Sequence, residues 1–246
     1  YRDANEAKQK TRYLFQHGVD TIKMMGTGSV LAEGTEPGQM EMTEDDMRAV
    51  VQEAKVHKSY ATVHAHGAEG IKAAIRAGVK SVEHASLLDD EGIKMAKDNG
   101  TYLVMDIYNG DYIDEVGHKE AWPESYLRKN AETTDVQRQA FRKAVKAGVK
   151  IAYGTDAGVY PIGTNAKQFA YMVKYGMTPM QAIQSATVVA ADLLNWQQDV
   201  GAVSTGRFAD MIAVDGDPIA DITVLEKLPV VMKGGAIVPP DVLPGL

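Results

Sequence analysis

Three histidines between positions 64 and 84 are the first candidates for metal binding or catalysis. The stretch TVHAHG places His64 and His66 one residue apart after a short β-branched run, and SVEHAS places His84 in a similar setting. Neutral imidazole is a common ligand of Zn²⁺ and related divalent ions. A single histidine at a strand end is more often a hydrogen-bonded structural residue, so the elements that carry these side chains decide the interpretation.

Hydrophobic runs and helical periodicity alternate along the first 195 residues. Capping residues and glycines bound the elements, with Thr43 expected to cap a helix and Gly78, Gly100 and Gly148 expected to end helices. The pattern predicts strands over 19–25, 61–65, 79–84, 101–106 and 149–156, and helices over 43–59, 68–78, 88–100, 124–147, 164–175 and 178–194. The polar segment 107–121 is long for a connector and is predicted to be an active-site loop.

This alternation predicts an α/β fold with a parallel sheet covered by helices on both faces. Five β/α units precede residue 195, whereas a (β/α)8 barrel needs eight. Residues 201–238 change to short β runs with glycine and proline turns. We therefore expect a partial barrel over 1–200 and a small β domain over 201–246.

Four polar side chains fall at predicted strand ends, where parallel β/α folds place their functional groups: Lys23, His64, His84 and Asp156. Two imidazoles and a carboxylate suit a divalent ion. Lysine becomes a ligand only if CO₂ converts its amine to an anionic carbamate. The alternatives are that Asp156 caps a turn and that Lys23 is a snorkelling surface lysine.

Composition narrows the function classes. The formal charge of −7 argues against a nucleic-acid-coating surface. No apolar run reaches the roughly 18 residues that span a bilayer, which argues against a membrane protein. The absence of cysteine excludes thiolate ligands and a cysteine nucleophile. The first residues are typical of a helix interior without an initiator Met, so we expect the natural start to be missing, and the compartment stays open.

Four stretches in order, DTIKMMGTGSV, VHAHGAEGIKAAIRAGVKSVEHAS, IAYGTDAG and GRFADMIAVDGDP, resemble the amidohydrolase superfamily. The similarity is to its metal-dependent hydrolases of the Xaa-Pro dipeptidase and imidazolonepropionase type. It implies a TIM barrel of which this chain contains strands 4 to 8, plus the returning part of a small β-sandwich.

The resemblance also implies roles for individual residues. Lys23 matches the carbamylated lysine of strand 4, His64 and His84 match the metal ligands of strands 5 and 6, and Asp156 matches the strand-8 ligand and general base. His66 is expected to line the substrate pocket. The segment 107–121 adds three further candidates for substrate contact: Tyr108, Tyr112 and His118.

One departure from the family is clear. Its His-x-His pair ends strand 1 and holds the more buried metal, but the His-x-His here, at 64–66, lies on the wrong strand. Strands 1 to 3 are absent from the sequence. We expect the missing half, in the same parent chain or in a separate chain, to carry that pair.

The resemblance implies two divalent ions, with Zn²⁺ expected, and a homo-oligomer. The implied reaction is hydrolysis of dipeptides or N-acyl amino acids by a metal-activated hydroxide, with Asp156 as general acid and base. A cyclic-amide or imidazolone hydrolase and a lactonase are alternatives within the superfamily. A non-catalytic chain that completes another barrel is the alternative of a different class.

Overall fold

The computed structural model describes residues 3–239, in which a parallel sheet with surrounding helices precedes a small antiparallel sheet. The first part contains α1 (Ala4–Gln16), β1 (Ile22–Met25), α2 (Glu44–Val56), β2 (Ala61–Ala65), α3 (Ala68–Ala77), β3 (Ser81–His84), α4 (Asp90–Asn99), β4 (Tyr102–Val104), α5 (Asn109–Lys119) and α6 (Glu124–Ala147). The second part contains α7 (Lys167–Lys174), α8 (Pro179–Ala186), α9 (Val188–Leu193), β5 (Met211–Ala213), a 3₁₀ helix (Ile222–Glu226), β6 (Val230–Lys233) and β7 (Ala236–Ile237).

The parallel sheet has the strand order β1-β2-β3-β4, which is also the chain order. In the register, Met25 lies beside His64, and Ala65 lies beside His84. A helix connects each of these strands to the next, as is usual for parallel neighbours. The predicted β/α architecture is therefore confirmed, and it brings the carboxyl ends of all four strands to one edge.

One face of this sheet packs against helices, and the other is partly open. On β1, Ile22 and Met24 are buried in the main hydrophobic core, whereas Lys23 and Met25 are exposed. The prediction of helices on both faces is therefore wrong at β1. In a closed barrel, one face of each strand is turned to the interior rather than to a helix.

The predicted strand 149–156 is much reduced. Within the described residues, it pairs with β4 through one parallel bridge, between Leu103 and Ile151. The amide of Leu103 donates to Lys150 O at 2.9 Å, and the amide of Ala152 donates to Leu103 O at 3.0 Å. The segment still runs beside β4, so Asp156 reaches the same edge of the sheet as the ends of β1 to β4.

Helix ends follow the capping signals. Thr43 caps α2, and its hydroxyl accepts from the amide of Asp46, whose carboxylate accepts from the Thr43 amide in return. Gly78 ends α3 in a left-handed conformation at φ 90°. The helix predicted over 178–194 is interrupted at Thr187, where φ is −121° and ψ is −95°, which separates α8 from α9.

The prediction of a loop over 107–121 is wrong, because most of this segment forms α5. Ile113 and Gly117 are buried about one turn apart. A Cβ at Gly110 would lie 2.2 Å from Thr134 Oγ1, and one at Gly117 would lie 2.6 Å from Leu127 Cδ2. Glycine weakens the helical signal of the sequence, but here it allows two helices to approach closely.

The chain after α9 forms the antiparallel sheet β5-β6-β7 and the 3₁₀ helix. The boundary placed at 200/201 stays a prediction, and residues 240–246 of that predicted domain lie outside the described part. Among residues 3–239, no helix is both long enough and apolar enough to span a bilayer.

Candidate metal centre and active site

A cavity of about 200 Å³ lies at the carboxyl edge of the parallel sheet. Side chains at or just beyond the ends of several strands reach it, as expected for a parallel β/α fold. Its lining includes Lys23, His64, His66, His84, Asp106 and Asp156. The structure therefore places all four of the predicted metal ligands, together with His66, on one pocket.

The three histidines form a compact cluster. The ring centroids of His64 and His84 are 4.3 Å apart, those of His64 and His66 are 4.7 Å apart, and those of His66 and His84 are 4.9 Å apart. One ring nitrogen from each lies within 4.8 Å of the others. His84, Asp106 and Asp156 form a second such group.

His84 reaches the pocket through an unusual backbone conformation. It follows Glu83 in β3, so strand alternation alone would turn the two side chains to opposite faces. His84 has φ 68° and Ala85 has φ 49°, in the left-handed region that non-glycine residues rarely adopt. Asp156 is also left-handed, at φ 50°. Such strain is concentrated at functional sites, where surrounding contacts hold it in place.

Asp106 is a site residue that the sequence analysis missed. Its carboxylate is buried, and Oδ2 accepts from His84 Nδ1 at 3.0 Å and from Asn109 Nδ2 at 2.7 Å. Oδ1 accepts from Gln137 Nε2 at 3.0 Å. The signal was present, since Asp106 ends the predicted strand 101–106 just as the other candidates end theirs. Gln137 carries no such signal, because it lies in the middle of α6.

His66 is held by two hydroxyl groups. Its backbone amide donates to Thr27 Oγ1 at 2.9 Å, and its Nδ1 lies 2.8 Å from Ser86 Oγ. The side chain is buried within the histidine cluster. This position is compatible with the predicted pocket-lining role and also with a third imidazole ligand.

The electrostatics keep two of the histidines neutral. Burial, assisted by the nearby His84 and Lys23, lowers the pKa of His64 to about 3. Burial, with His84 and His64 nearby, holds the pKa of His66 well below its ordinary value. A neutral imidazole keeps a lone pair on one nitrogen, which is the form that binds metal.

The third histidine behaves differently because it faces a carboxylate. Burial opposes protonation of His84, but the adjacent Asp106 outweighs it and raises the pKa of His84. Burial would likewise raise the pKa of Asp106, but His84 holds it below its ordinary value. The two groups therefore form a buried, mutually stabilised pair.

The residues present fit a divalent ion. His64 Nε2 is buried and has no hydrogen-bond partner among the described residues. A buried nitrogen without a partner is costly, and a cation would satisfy it. The donors near it are imidazoles and carboxylates, the set that Zn²⁺ and similar ions prefer. Lys23 lines the same pocket and would join this set only as its carbamate.

The three candidates from segment 107–121 lie elsewhere. Tyr108 packs edge-on against Tyr160 and Tyr171, with ring centroids 5.0 and 5.2 Å away, and Tyr112 lies 5.9 Å from Tyr160. His118 is exposed in the last turn of α5, and its Nδ1 donates to Asp114 O at 2.7 Å. None of these three side chains lines the histidine pocket.

Other walls of the pocket come from the loop after β1, through Ser29, Val30 and Leu31, and from α5 and α6. Lys129 of α6 holds this loop, because its ammonium donates to Ser29 O at 3.1 Å, to Thr35 O at 3.2 Å and also to Ala32 O. A buried cation thus holds the loop that forms this wall of the pocket.

Comparison with known proteins gives consistent matches. The sequence model of the amidohydrolase family matches residues 2–238. A curated relative, the ochratoxinase of Aspergillus niger, is 33% identical over 245 residues, which cover 94% of this chain and 49% of the relative. The chain thus spans about half the length of that relative.

Solved structures agree with this match. A Xaa-Pro dipeptidase with methionine bound in its active site is 42% identical with a TM-score of 0.92, and the match covers 97% of this chain and 59% of that one. A prolidase complexed with N-methylphosphonate-L-proline is 27% identical with a TM-score of 0.90, covering 96% and 59%. These similarities confirm the predicted TIM-barrel fold of the amidohydrolase type.

Proposed function

The chain belongs to the amidohydrolase family, and from that premise we propose that it is a metal-dependent hydrolase that cleaves the amide bond of dipeptides or N-acyl amino acids. The observation that carries the proposal is the convergence of His64, His84 and Asp156 on one pocket, although they are distant along the chain. Because the chain covers about half of the relative's length, the activity belongs to the completed barrel.

In this proposal, Lys23, His64, His84 and Asp156 hold the divalent ions, with Zn²⁺ expected and Lys23 present as its carbamate. A second ion requires the His-x-His pair of the missing half. When bound, the ions supply Lewis acidity and lower the pKa of water toward neutrality. The buried imidazoles are already neutral, so they need not lose a proton before they bind.

Asp156 is proposed to move the proton. It is the exposed member of a group of three potential metal ligands, whereas the other two, His84 and Asp106, are buried. A carboxylate open to the pocket can take a proton from the attacking water and pass it to the leaving amine. The buried Asp106 is already engaged by His84, Asn109 and Gln137, so it is the poorer candidate for this role.

The matched structures support the proposed substrate class. One of them has an amino acid, methionine, in its active site, and another has an N-methylphosphonate derivative of L-proline. Both ligands contain a free amino-acid carboxyl end. We therefore propose a substrate in which an amino acid is acylated on its nitrogen.

The test is hydrolysis by the protein purified in its natural assembly, with intact mass identifying any chain that completes the barrel. Zn²⁺-loaded protein should release amino acid from Xaa-Pro dipeptides or N-acyl amino acids. Asp156→Asn should abolish turnover while the circular dichroism spectrum stays unchanged. Exclusive hydrolysis of imidazolonepropionate or of a lactone would contradict the proposed substrate class, and activity retained in Asp156→Asn would contradict the proton role.

A further inference from the structure

Asp106 is a buried carboxylate that no step of the proposed reaction uses. Both of its oxygens are engaged: Oδ2 accepts from His84 Nδ1 at 3.0 Å and from Asn109 Nδ2 at 2.7 Å, and Oδ1 accepts from Gln137 Nε2 at 3.0 Å. The three donors come from β3, α5 and α6. The helices α5 and α6 therefore each donate a hydrogen bond to one oxygen of this carboxylate.

The hydrogen bonds around Asp106 extend to the backbone of His84. Gln137 Nε2 donates to His84 O at 2.9 Å as well as to Asp106. His84 has the left-handed φ of 68°, a conformation that persists in a non-glycine residue only when its surroundings hold it. The ring and the main chain of His84 are thus fixed together by one network of buried hydrogen bonds.

This network decides which nitrogen of His84 faces the pocket. A carboxylate accepts only, so the His84 nitrogen beside Asp106 must bear the hydrogen. The lone pair of the neutral ring then lies on Nε2, on the opposite side of the imidazole. His64 and His66 lie around that ring, with centroids 4.3 and 4.9 Å away.

We propose that Asp106 is a positioning residue that fixes His84 as the Nδ1–H tautomer, so that its Nε2 lone pair is presented to the pocket, with Gln137 and Asn109 holding the carboxylate. The inference rests on the proposed function, in which that pocket takes a divalent ion. Carboxylates that orient a histidine ligand in this way influence metal affinity without contacting the metal.

The experiment compares the wild type with Asp106→Asn. The amide has one oxygen and one NH₂ group where three donors converge. In one orientation of the amide Gln137 loses its acceptor, and in the other His84 and Asn109 lose theirs, so the tautomer of His84 should become mixed. Asp111→Asn is the matched control, because Asp111 is a carboxylate of α5 whose partners are Arg138 and Tyr171 rather than His84. Circular dichroism establishes that each variant is folded.

Two readouts are needed. Nitrogen-15 NMR of the metal-free protein, recorded at a pH above the raised pKa of His84 so that its ring is neutral, reports the tautomer of His84. Chelator competition measures the dissociation constant for Zn²⁺. We expect the Nδ1–H form in the wild type and in Asp111→Asn. In Asp106→Asn, we expect mixed tautomers and Zn²⁺ affinity weaker by about 10- to 100-fold.

The outcomes separate the two proposals. Wild-type affinity and an unchanged tautomer in Asp106→Asn would overturn the positioning role and leave the proposed function standing. An Nδ1–H tautomer in a wild-type protein that binds no divalent ion would support the positioning role and overturn the proposed function. If Asp106→Asn does not fold, the wild-type spectrum alone decides, because an Nε2–H His84 would overturn the inference.

Discussion

The imidazole of His64 lies edge-on to that of His84, with ring centroids 4.3 Å apart and planes inclined by 64°. The two residues end adjacent parallel strands, and the left-handed backbone at His84 turns its ring into the pocket. His64 Nε2 meanwhile has no hydrogen-bond partner within the described residues. This arrangement supports the proposal that the two imidazoles bind one cation.

Removal of either ring should release metal. We expect His64→Ala and His84→Ala to weaken Zn²⁺ binding by more than the roughly 100-fold that loss of an outer-sphere partner can cause, because each removes a proposed direct ligand. Metal content per chain, measured by mass spectrometry after dialysis, tests this. The control is His118→Ala, since His118 is exposed and bonded within its own helix. Full metal content in both cluster variants would refute the assignment.

Lys23 should bear a carbon-dioxide adduct. A native mass spectrum should show an increase of about 44 Da over the sequence mass, as expected for a carbamate. Lys23→Ala should lose both the adduct and bound metal, because a carbamate oxygen is a ligand whereas an ammonium is not. Lys94→Ala is the control, since Lys94 is an exposed lysine paired with Asp98. An adduct that survives in Lys23→Ala would place the modification elsewhere.

The neutral histidines should make the metal-free protein sensitive to acid. His64 and His66 have folded-state pKa values below the unfolded value of about 6.5, so the unfolded state binds more protons as the pH falls through 6.5. The free energy of unfolding should therefore decrease below pH 6.5, by up to about 1.4 kcal/mol per pH unit for each histidine.

The shifted pKa values of His84 and Asp106 do not change the free energy of unfolding in that range. The raised pKa of His84 gives stability that is complete below pH 6.5 and is lost only as the pH rises through its folded value. The lowered pKa of Asp106 gives stability that is lost only below about pH 4. The free energy of unfolding can be measured with urea at pH 6.5, 5.5 and 4.5. It should decrease less steeply with falling pH in His64→Asn than in the wild type or in His118→Asn. Equal slopes in all three proteins would contradict this prediction.

The buried Lys129, which holds the pocket loop, should contribute more to the free energy of unfolding than the neighbouring surface ion pair. Lys129→Met keeps the side-chain stem but leaves the carbonyls of Ser29 and Thr35 without their donor. We expect a loss of about 1–3 kcal/mol in the free energy of unfolding. We also expect faster proteolysis of residues 26–41 and a larger effect on KM than on kcat, since the loop forms a wall of the pocket.

The matched control is the adjacent Arg128, which reaches the same loop through an exposed ion pair with Glu36. Such pairs contribute less than about 1 kcal/mol. Arg128→Ala should therefore be nearly as stable as the wild type and should leave the loop as resistant to protease. Equal effects of Arg128→Ala and Lys129→Met would show that the buried cation is not the anchor.

The sequence by itself determined the features that depend on neighbours a few residues apart. The capping box of Thr43 and Asp46 and the left-handed end at Gly78 are made within one turn, so their signals are local. Alternating strand and helix periodicity was sufficient to identify the parallel β/α architecture. It was also sufficient to place His64 and His84 at strand ends.

The tertiary structure alone decided what depends on packing between distant segments. Gly110 and Gly117 weaken the helical signal of α5, yet close contact with α6 makes that segment a helix. Gln137 reaches Asp106 across 31 residues, and the side chain has no marker in the sequence. The pocket takes its shape from such long-range hydrogen bonds, which exist only after the chain has brought its strands, helices and loops together.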